Sequence, residues 1–196
     1  MGRRPPRTET RQRVLDAAAR VFAERGIAGA SLREVAEAAG LTTGALYSNF
    51  AGKDELVLAL MAEHVGMRLR RATEAVDDLD DADALLREVG ARLIEAVQTD
   101  FTWQRLFLEY WGVAMRDEEV RAGLAARRRE ARAALTRAIT RIADARGFAL
   151  PVPAEQAAVV VLALSNGFAI ERGIDAGAVP DGLFGRVLTL LAGDHR

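Results

Sequence analysis

The residues with the most specific chemical pattern lie between 31 and 50, in the segment SLREVAEAAGLTTGALYSNF. Ser31 and Glu34 match a capping box, in which a hydroxyl and a carboxylate each accept a backbone amide at a helix start. Gly40 can take the positive φ of a tight turn between two short helices. The second helix then carries Thr42, Thr43, Tyr47 and Asn49. Such groups reach phosphates and base edges when a helix enters the major groove of DNA.

Apolar residues in the same segment fit two helices that cross closely. Ala36 is small where the second helix must approach, and Val35, Leu41 and Leu46 can pack between the helices and onto a preceding one. Phe50 is expected in the core. The alternative is an ordinary helical hairpin, because helix-turn-helix patterns also occur by chance.

Other kinds of reactive chemistry find little support. The chain has no cysteine, which excludes disulfides, thiolate zinc sites and a cysteine nucleophile. Its two histidines, His64 and His195, are far apart, and no Ser-His-acid set or phosphate-cradling glycine loop is evident. We therefore expect no catalytic residue, no metal, no cofactor and no enzyme activity. A helical enzyme or small-molecule-binding protein whose DNA-binding head is not functional is the alternative.

Charge is unevenly distributed along the chain. Residues 1–53 contain nine Lys or Arg and five Asp or Glu, a net of +4, whereas the remainder has 18 against 23, a net of −5. A basic end is a candidate site for a polyanion. Because Pro5 and Pro6 disfavour a helix among the first arginines, residues 1–9 are expected to form a flexible basic arm.

Hydrophobic periodicity predicts an all-α fold. Val14, Leu15, Ala18, Val21 and Phe22 recur at helical spacing and predict a first helix from Thr10 to Arg25, stopped by Gly26. An acidic stretch, Asp77 to Asp83, indicates an exposed connection. Further helices are predicted after Gly52, at about 84–99, 103–115, 118–146 and 154–172, and after Pro180.

The first predicted helix, the capping box, LTTGALYSNF and the following AGKDEL together resemble the DNA-binding region of the TetR family of regulators. The resemblance spans about residues 10–65; beyond them only the helix layout is similar. It implies a three-helix DNA-binding domain at residues 10–53 and an effector-binding and dimerisation domain at 54–196. Asn49 departs from the family, which often has histidine there; asparagine can donate to phosphate but cannot titrate.

The resemblance also implies partners and roles. They are double-stranded operator DNA, a second copy of the chain, and a small, largely hydrophobic effector that releases the DNA, with repression as the expected outcome. Lys53, the only lysine, is expected to clamp the DNA backbone from the start of the fourth helix. The DNA-binding residues expected on this basis are Ser31, Thr42, Thr43, Gly44, Tyr47, Asn49 and Lys53.

Aromatic residues suggest where an effector would bind. Trp103, Phe107 and Trp111 are spaced i, i+4, i+8 and share one helix face. An ordinary aromatic core is the alternative, and His64, at helical spacing from apolar residues, is more typical of a core histidine. The predicted ligand-binding residues are His64, Trp103, Phe107, Tyr110 and Trp111. The basic run at Arg127–Arg129 and Arg132 is taken as a solvated face, with an anionic effector as the lesser alternative.

Two helices near the C-terminus predict a homodimer. Residues 157–170 are apolar nearly all round a helix, and such a helix must be buried. The resemblance implies that the last two helices pair with their counterparts as a four-helix bundle. The apolar run is too short to span a bilayer and no N-terminal apolar segment precedes it, so we expect a cytoplasmic protein without a membrane partner. The predicted interface residues are Val161, Leu164, Phe168, Phe184, Val187, Leu188 and Leu191.

Overall fold

A computed structural model describes residues 6–74, 84, 87–92, 101–147 and 149–192. The regular structure in these ranges is α-helical, without a strand, which confirms the predicted all-α fold. Residues 87–92 are helical. The remaining helices are α1 (Arg7–Gly29), α2 (Leu32–Ala38), α3 (Thr43–Tyr47), α4 (Lys53–Glu74), α5 (Phe101–Ala114), α6 (Glu118–Arg146), α7 (Ala154–Ile174) and α8 (Leu183–Ala192).

The helix boundaries mostly follow the local signals in the sequence, but α1 is longer than predicted at both ends, since it begins at Arg7 and continues past the kink at Gly26 to Gly29. Helix α1 begins at Arg7, with Pro6 in the N-cap position, so residues 7–9 of the predicted flexible arm are helical. Proline is tolerated there because an amide at a helix start has no intrahelical acceptor. Gly26 interrupts α1 with φ 73°, as the predicted stop requires. Residues 93–99 of the predicted helix at 84–99, and the acidic stretch 77–83, lie outside the described residues.

The chain forms two compact units. The first joins the described residues up to His64 with Arg105–Arg127. It therefore extends beyond the predicted boundary at residue 53 and takes in the start of α4 and most of α5. The periodic residues of α1 are buried in it, together with side chains of α2, α3, α4 and α5: Val14, Leu15, Ala18, Val21, Phe22, Val35, Leu46, Phe50, Leu56, Leu106 and Tyr110.

The second unit contains the described residues of Val65–Gln104 and of Arg128 onward. Its core is centred on Phe184 and Leu188 of α8, and the ring of Phe184 meets that of Phe168 edge-on with centroids 5.4 Å apart. Val161, Leu164 and Phe168 pack against this core from α7, together with Val89, Val179 and Leu183.

This packing shows where the predicted interface residues lie within one chain. Phe184 and Leu188 are buried inside their own chain. Val187 is half-buried, and the side chain of Leu191 lies outside the described residues. The predicted interface residues therefore stay a prediction, because an apolar helix does not show which of its faces is covered by its own chain.

Helix α7 turns a different apolar face outward. Val159 is 50% exposed, and Val160 and Ile174 are exposed as well. The predicted apolar run 157–170 belongs to a longer helix, since α7 is, among the described residues, the one helix long and apolar enough to cross a membrane by length and composition, with a mean hydropathy of 1.5. One such helix is weak evidence for a membrane span, because core helices of other proteins pass the same test. An exposed apolar face also marks a surface that a protein partner covers.

Two glycines let α8 approach residues 87–92 closely. A Cβ on Gly185 would lie 2.7 Å from Arg87 Cα, and one on Gly90 would lie 2.4 Å from Gly185 Cα. Because both obstacles are backbone atoms, a side chain at either position forces the helices apart.

We expect Gly185→Ala to lower the free energy of unfolding by about 2 kcal/mol or more, because the new methyl overpacks this crossing. The matched control is Gly112→Ala in α5, where nothing lies within 4 Å of the added Cβ. Removing a helical glycine there is expected to raise stability by about 0.5–1 kcal/mol. Urea denaturation measures both, and a Gly185→Ala protein as stable as the wild type would contradict the close crossing.

Candidate nucleic-acid interface

Helix α2 begins with the predicted capping box. The Ser31 hydroxyl accepts the Glu34 amide at 3.3 Å, and the Glu34 carboxylate accepts the Ser31 amide at 2.8 Å. The Ser31 hydroxyl, which donates to the Glu34 carboxylate, and then the Ser31 amide lower the pKa of the Glu34 carboxyl. The ionised carboxylate therefore stabilises the fold at pH values above the ordinary carboxyl pKa. This stabilisation is lost as the pH falls through the lowered pKa of Glu34.

A tight turn at Gly40 joins α2 to α3. Gly40 has φ 64°, and the amide of Leu41 donates to the carbonyl of Ala36 at 2.9 Å, which closes the end of α2. The hydroxyl of Thr42 then accepts the amide of Ala45 at 3.1 Å and caps α3. The predicted arrangement of two short helices around a glycine turn is confirmed.

Arginines of α1 satisfy the carbonyl ends of both short helices. Arg13 donates to the carbonyl of Ala39 at 2.7 Å, after α2, and Arg11 donates to that of Asn49 at 3.1 Å, after α3. The Arg11 guanidinium also lies 4.2 Å from the centroid of a buried ring, that of Phe50. Cations are favoured at helix C-termini.

Two further arginines act in the same way. Arg20 donates to the carbonyl of Ala38, and Arg7 donates to that of Ser48. Part of the basic surplus of residues 1–53 therefore holds the helix-turn-helix together. The sequence analysis missed this role, because charge counting does not distinguish a cation that caps a helix from one that meets DNA.

The outer face of α3 carries several of the predicted DNA-binding residues in exposed positions. Tyr47 is 53% exposed, and Thr42, Thr43 and Gly44 are exposed beside it. Phe50 is buried, as predicted. Since Thr43 and Tyr47 are four residues apart, they lie on one face of the helix. The structure thus brings four of the predicted DNA-binding residues together on one surface.

Ser31 and Asn49 differ from these four. The Ser31 hydroxyl donates to Glu34 at 2.8 Å within the capping box. The Asn49 amide nitrogen donates to the carbonyl of Ala45 at 2.8 Å, and its buried side-chain oxygen finds no donor among the described residues. Both side chains are thus engaged within the unit, and their contacts to DNA stay predictions.

Lys53 is the first residue of α4, as predicted, and contacts residues 26–30, which comprise the kink at Gly26, the last residues of α1 and Ala30 and which we name the α1–α2 turn. Its ammonium donates to the carbonyl of Ala30 at 2.6 Å and to that of Ala28 at 3.4 Å. The opposite side of the same turn meets Glu109 of α5, whose carboxylate accepts the amides of Ile27 and Ala28. No local pattern in the sequence predicts this contact, because Glu109 and Ile27 are 82 positions apart.

The predicted ligand-binding residues fall in both units. Trp103 is half-buried in the second unit, and the others belong to the first. Tyr110 is buried, and its hydroxyl donates to Asp54 at 3.1 Å; burial first, and then the Asp54 charge, raise the pKa of the Tyr110 phenol. His64 and Phe107 are half-buried, whereas Trp111 is 47% exposed.

This geometry defines a class of protein. Two short helices cross at a glycine turn, both are capped by charged or hydroxyl groups, and the second presents hydroxyls and a glycine outward. That arrangement is a helix-turn-helix DNA-binding head, in which the second helix reads the major groove.

Comparison with known families places the chain within the class. Residues 14–60 match the family described as bacterial regulatory proteins, tetR family. Residues 82–190, more than half of the chain, match the C-terminal domain of BetI-type transcriptional repressors. The chain belongs to the TetR family of bacterial transcriptional regulators.

Individual relatives resemble different parts of it. The HTH-type transcriptional regulator ArpR of Pseudomonas putida is 45% identical over 74 residues, which cover 37% of this chain and 35% of ArpR. A TetR-family regulator from Rhodococcus sp. superposes with a TM-score of 0.77 at 23% identity, over 95% of this chain and all of the other. FadR from Bacillus subtilis, solved with stearoyl-CoA, has a TM-score of 0.68 at 19% identity, over 93% and 97% of the two chains.

Proposed function

We propose that the chain is a ligand-responsive repressor that binds a palindromic operator as a homodimer and leaves it when a small, largely hydrophobic molecule binds. The observation that carries this proposal is the exposed face of α3, with Thr43, Gly44 and Tyr47 held on a capped helix-turn-helix. The function needs binding alone, without a catalytic step, and it places the protein in the cytoplasm with its DNA.

The first experiment is selection of genomic DNA fragments by the purified protein, followed by sequencing. A dimer related by a two-fold axis is expected to recover a sequence with two inverted half-sites. Genes beside that sequence would then narrow the effector class. No enrichment over non-specific DNA would reject the proposal.

Lys53 has two competing roles that a salt titration separates. If its ammonium leaves the carbonyls of Ala28 and Ala30 for a phosphate, Lys53→Ala weakens binding to all DNA sequences. It then lowers the salt slope of log K by about 0.9 for each subunit, because one fewer counterion is released. An unchanged slope would confine Lys53 to the α1–α2 turn. Tyr47→Phe is the matched variant, since it loses one hydroxyl contact without removing a charge.

The dimer contact is proposed on the outward face of α7 and the exposed Leu190 of α8. Val159 and Val160 are apolar and exposed there, and the small residues Ala163 and Gly167 continue the same face. Small residues let two helices approach closely, as a four-helix bundle between subunits requires. Burial of this face by a second copy also removes apolar surface from water.

We expect Val159→Arg to convert the protein to a monomer, because a charge would be buried at the proposed contact. Operator binding should fall with it while the unfolding transition of the monomer remains. The matched control is Val113→Arg, at an exposed valine of α5 that is 43% accessible, against 50% for Val159. Sedimentation velocity decides the matter, and a dimeric Val159→Arg protein would reject this face.

An anchor for the effector is proposed at Gln104, in the second unit. Gln104 is 6% exposed, and its amide nitrogen finds no acceptor among the described residues. A buried donor without a partner costs free energy, which a ligand oxygen would recover. We therefore expect a largely apolar effector with a carbonyl or carboxyl oxygen; stearoyl-CoA, in the solved complex of FadR, likewise joins a long apolar chain to a carbonyl, although its coenzyme A part is charged.

Replacement of Gln104 by methionine tests this anchor, since the two side chains are similar in volume. The free protein should gain about 1 kcal/mol of stability, because a buried unsatisfied donor is removed. Release of operator by the effector should at the same time need a higher effector concentration. Lower stability together with an unchanged effector response would show that Gln104 is a satisfied structural residue.

A further inference from the structure

The α1–α2 turn is held by groups of opposite charge on its two sides. The Glu109 carboxylate accepts the amide of Ile27 at 2.9 Å and that of Ala28 at 2.6 Å, one on each oxygen. The Lys53 ammonium holds the neighbouring carbonyl of Ala30. Hydrogen bonds to ionised groups are shorter and stronger than neutral ones. The carboxylate thus accepts backbone amides, and the ammonium donates to a backbone carbonyl.

Gly26 permits the approach of Glu109. The glycine has φ 73°, and a Cβ built on it would lie 3.1 Å from a carboxylate oxygen of Glu109. An L side chain at this position would be strained by the backbone and crowded by the carboxylate. The glycine that ends the regular part of α1 thus also makes room for a residue of α5.

The same turn-and-a-half of α5 contacts both helices that flank the helix-turn-helix. Arg105, one helical turn before Glu109, donates to the carbonyl of Ala23 near the end of α1. Tyr110 donates to Asp54 at the start of α4. All these residues belong to the first unit. Helix α5 is therefore bonded to the end of α1, to the α1–α2 turn and to the beginning of α4.

We propose that Glu109 is a positioning residue for operator binding: it fixes the α1–α2 turn, and through that turn the orientation of α2 and α3, without contacting DNA itself. The inference rests on the proposed function, since it assigns Glu109 a part in DNA binding. The capping box at Ser31 and the cap of Arg13 on α2 do not involve Glu109. Loss of the Glu109 carboxylate should consequently release the Ile27 and Ala28 amides and loosen the α1–α2 turn, while α2 and α3 stay formed.

The test compares Glu109→Ala and Glu109→Gln with the wild type, using the operator recovered by fragment selection. Glu118→Ala is the matched control, because Glu118 is an exposed carboxylate at the start of α6. Binding is measured below the unfolding transition of every variant, and amide hydrogen exchange is followed at Ile27 and Ala28. Amides of the α1 core serve as the internal reference for the global fold.

We expect Glu109→Ala to bind operator about tenfold more weakly, with faster exchange at Ile27 and Ala28 and unchanged exchange in the α1 core. Glu109→Gln should lie between this variant and the wild type, because its one carbonyl oxygen still accepts an amide. Glu118→Ala should bind as the wild type does. If Glu109→Ala does not fold, the same measurements on Glu109→Gln decide the question.

Wild-type affinity in a folded Glu109 variant whose Ile27 and Ala28 amides exchange faster would overturn the positioning role. Unchanged exchange at both amides would overturn it as well, because the carboxylate would then not be holding the turn. If the wild-type protein recovers no operator, the proposed function itself fails. A wild type that binds, beside a Glu109→Ala variant that binds equally well, rejects the positioning role alone.

Discussion

The DNA-binding head depends on satisfying the ends of two helices that are too short to stand alone. Helices α2 and α3 have seven and five residues, so most of their terminal amides and carbonyls lack an intrahelical partner. Isolated helices of this length do not persist in water. The side chains of Ser31 and Thr42, which precede the two helices, cap their starts, and arginines of α1 donate to the carbonyls after their ends. The exposed face of α3 is therefore held in place by side chains that lie outside α2 and α3.

Part of the basic charge of this region is consequently used within the DNA-binding head itself. Arg11 and Arg13 donate to carbonyls within the head. Lys53 donates to carbonyls of the α1–α2 turn, and a DNA phosphate could take the place of those carbonyls as its acceptor. Exchanging one hydrogen-bond acceptor for another costs little when both are well placed. The net charge of residues 1–53 thus overstates the number of cations free to meet DNA.

In the second unit, close packing of two helices is the constraint that the described residues show most clearly. Gly90 and Gly185 allow the backbones of two helices to approach, and the rings of Phe168 and Phe184 fill the space beside them. That packing uses one side of α7 and turns the side of Val159 outward. The face of α7 that is exposed among the described residues is the one we propose for contact with a second copy.

The sequence by itself determined the features that arise from neighbours along the chain. The capping box joins residues three positions apart, Gly26 and Gly40 stand where positive φ is needed, and helical periodicity identified the buried face of α1. The short segment around Thr43 and Tyr47 was distinctive enough to indicate the family, because its chemistry is local.

Only the tertiary structure decided which distant groups meet. Glu109 reaches the amides of the α1–α2 turn across 82 positions, and no spacing rule connects residues so far apart. It also decided that Phe184 and Leu188 belong to the chain's own core. Residues 157–170 of α7 are apolar nearly all round and have no polar face to show their orientation, so the sequence did not show which side of α7 packs against α8 and which side stays exposed.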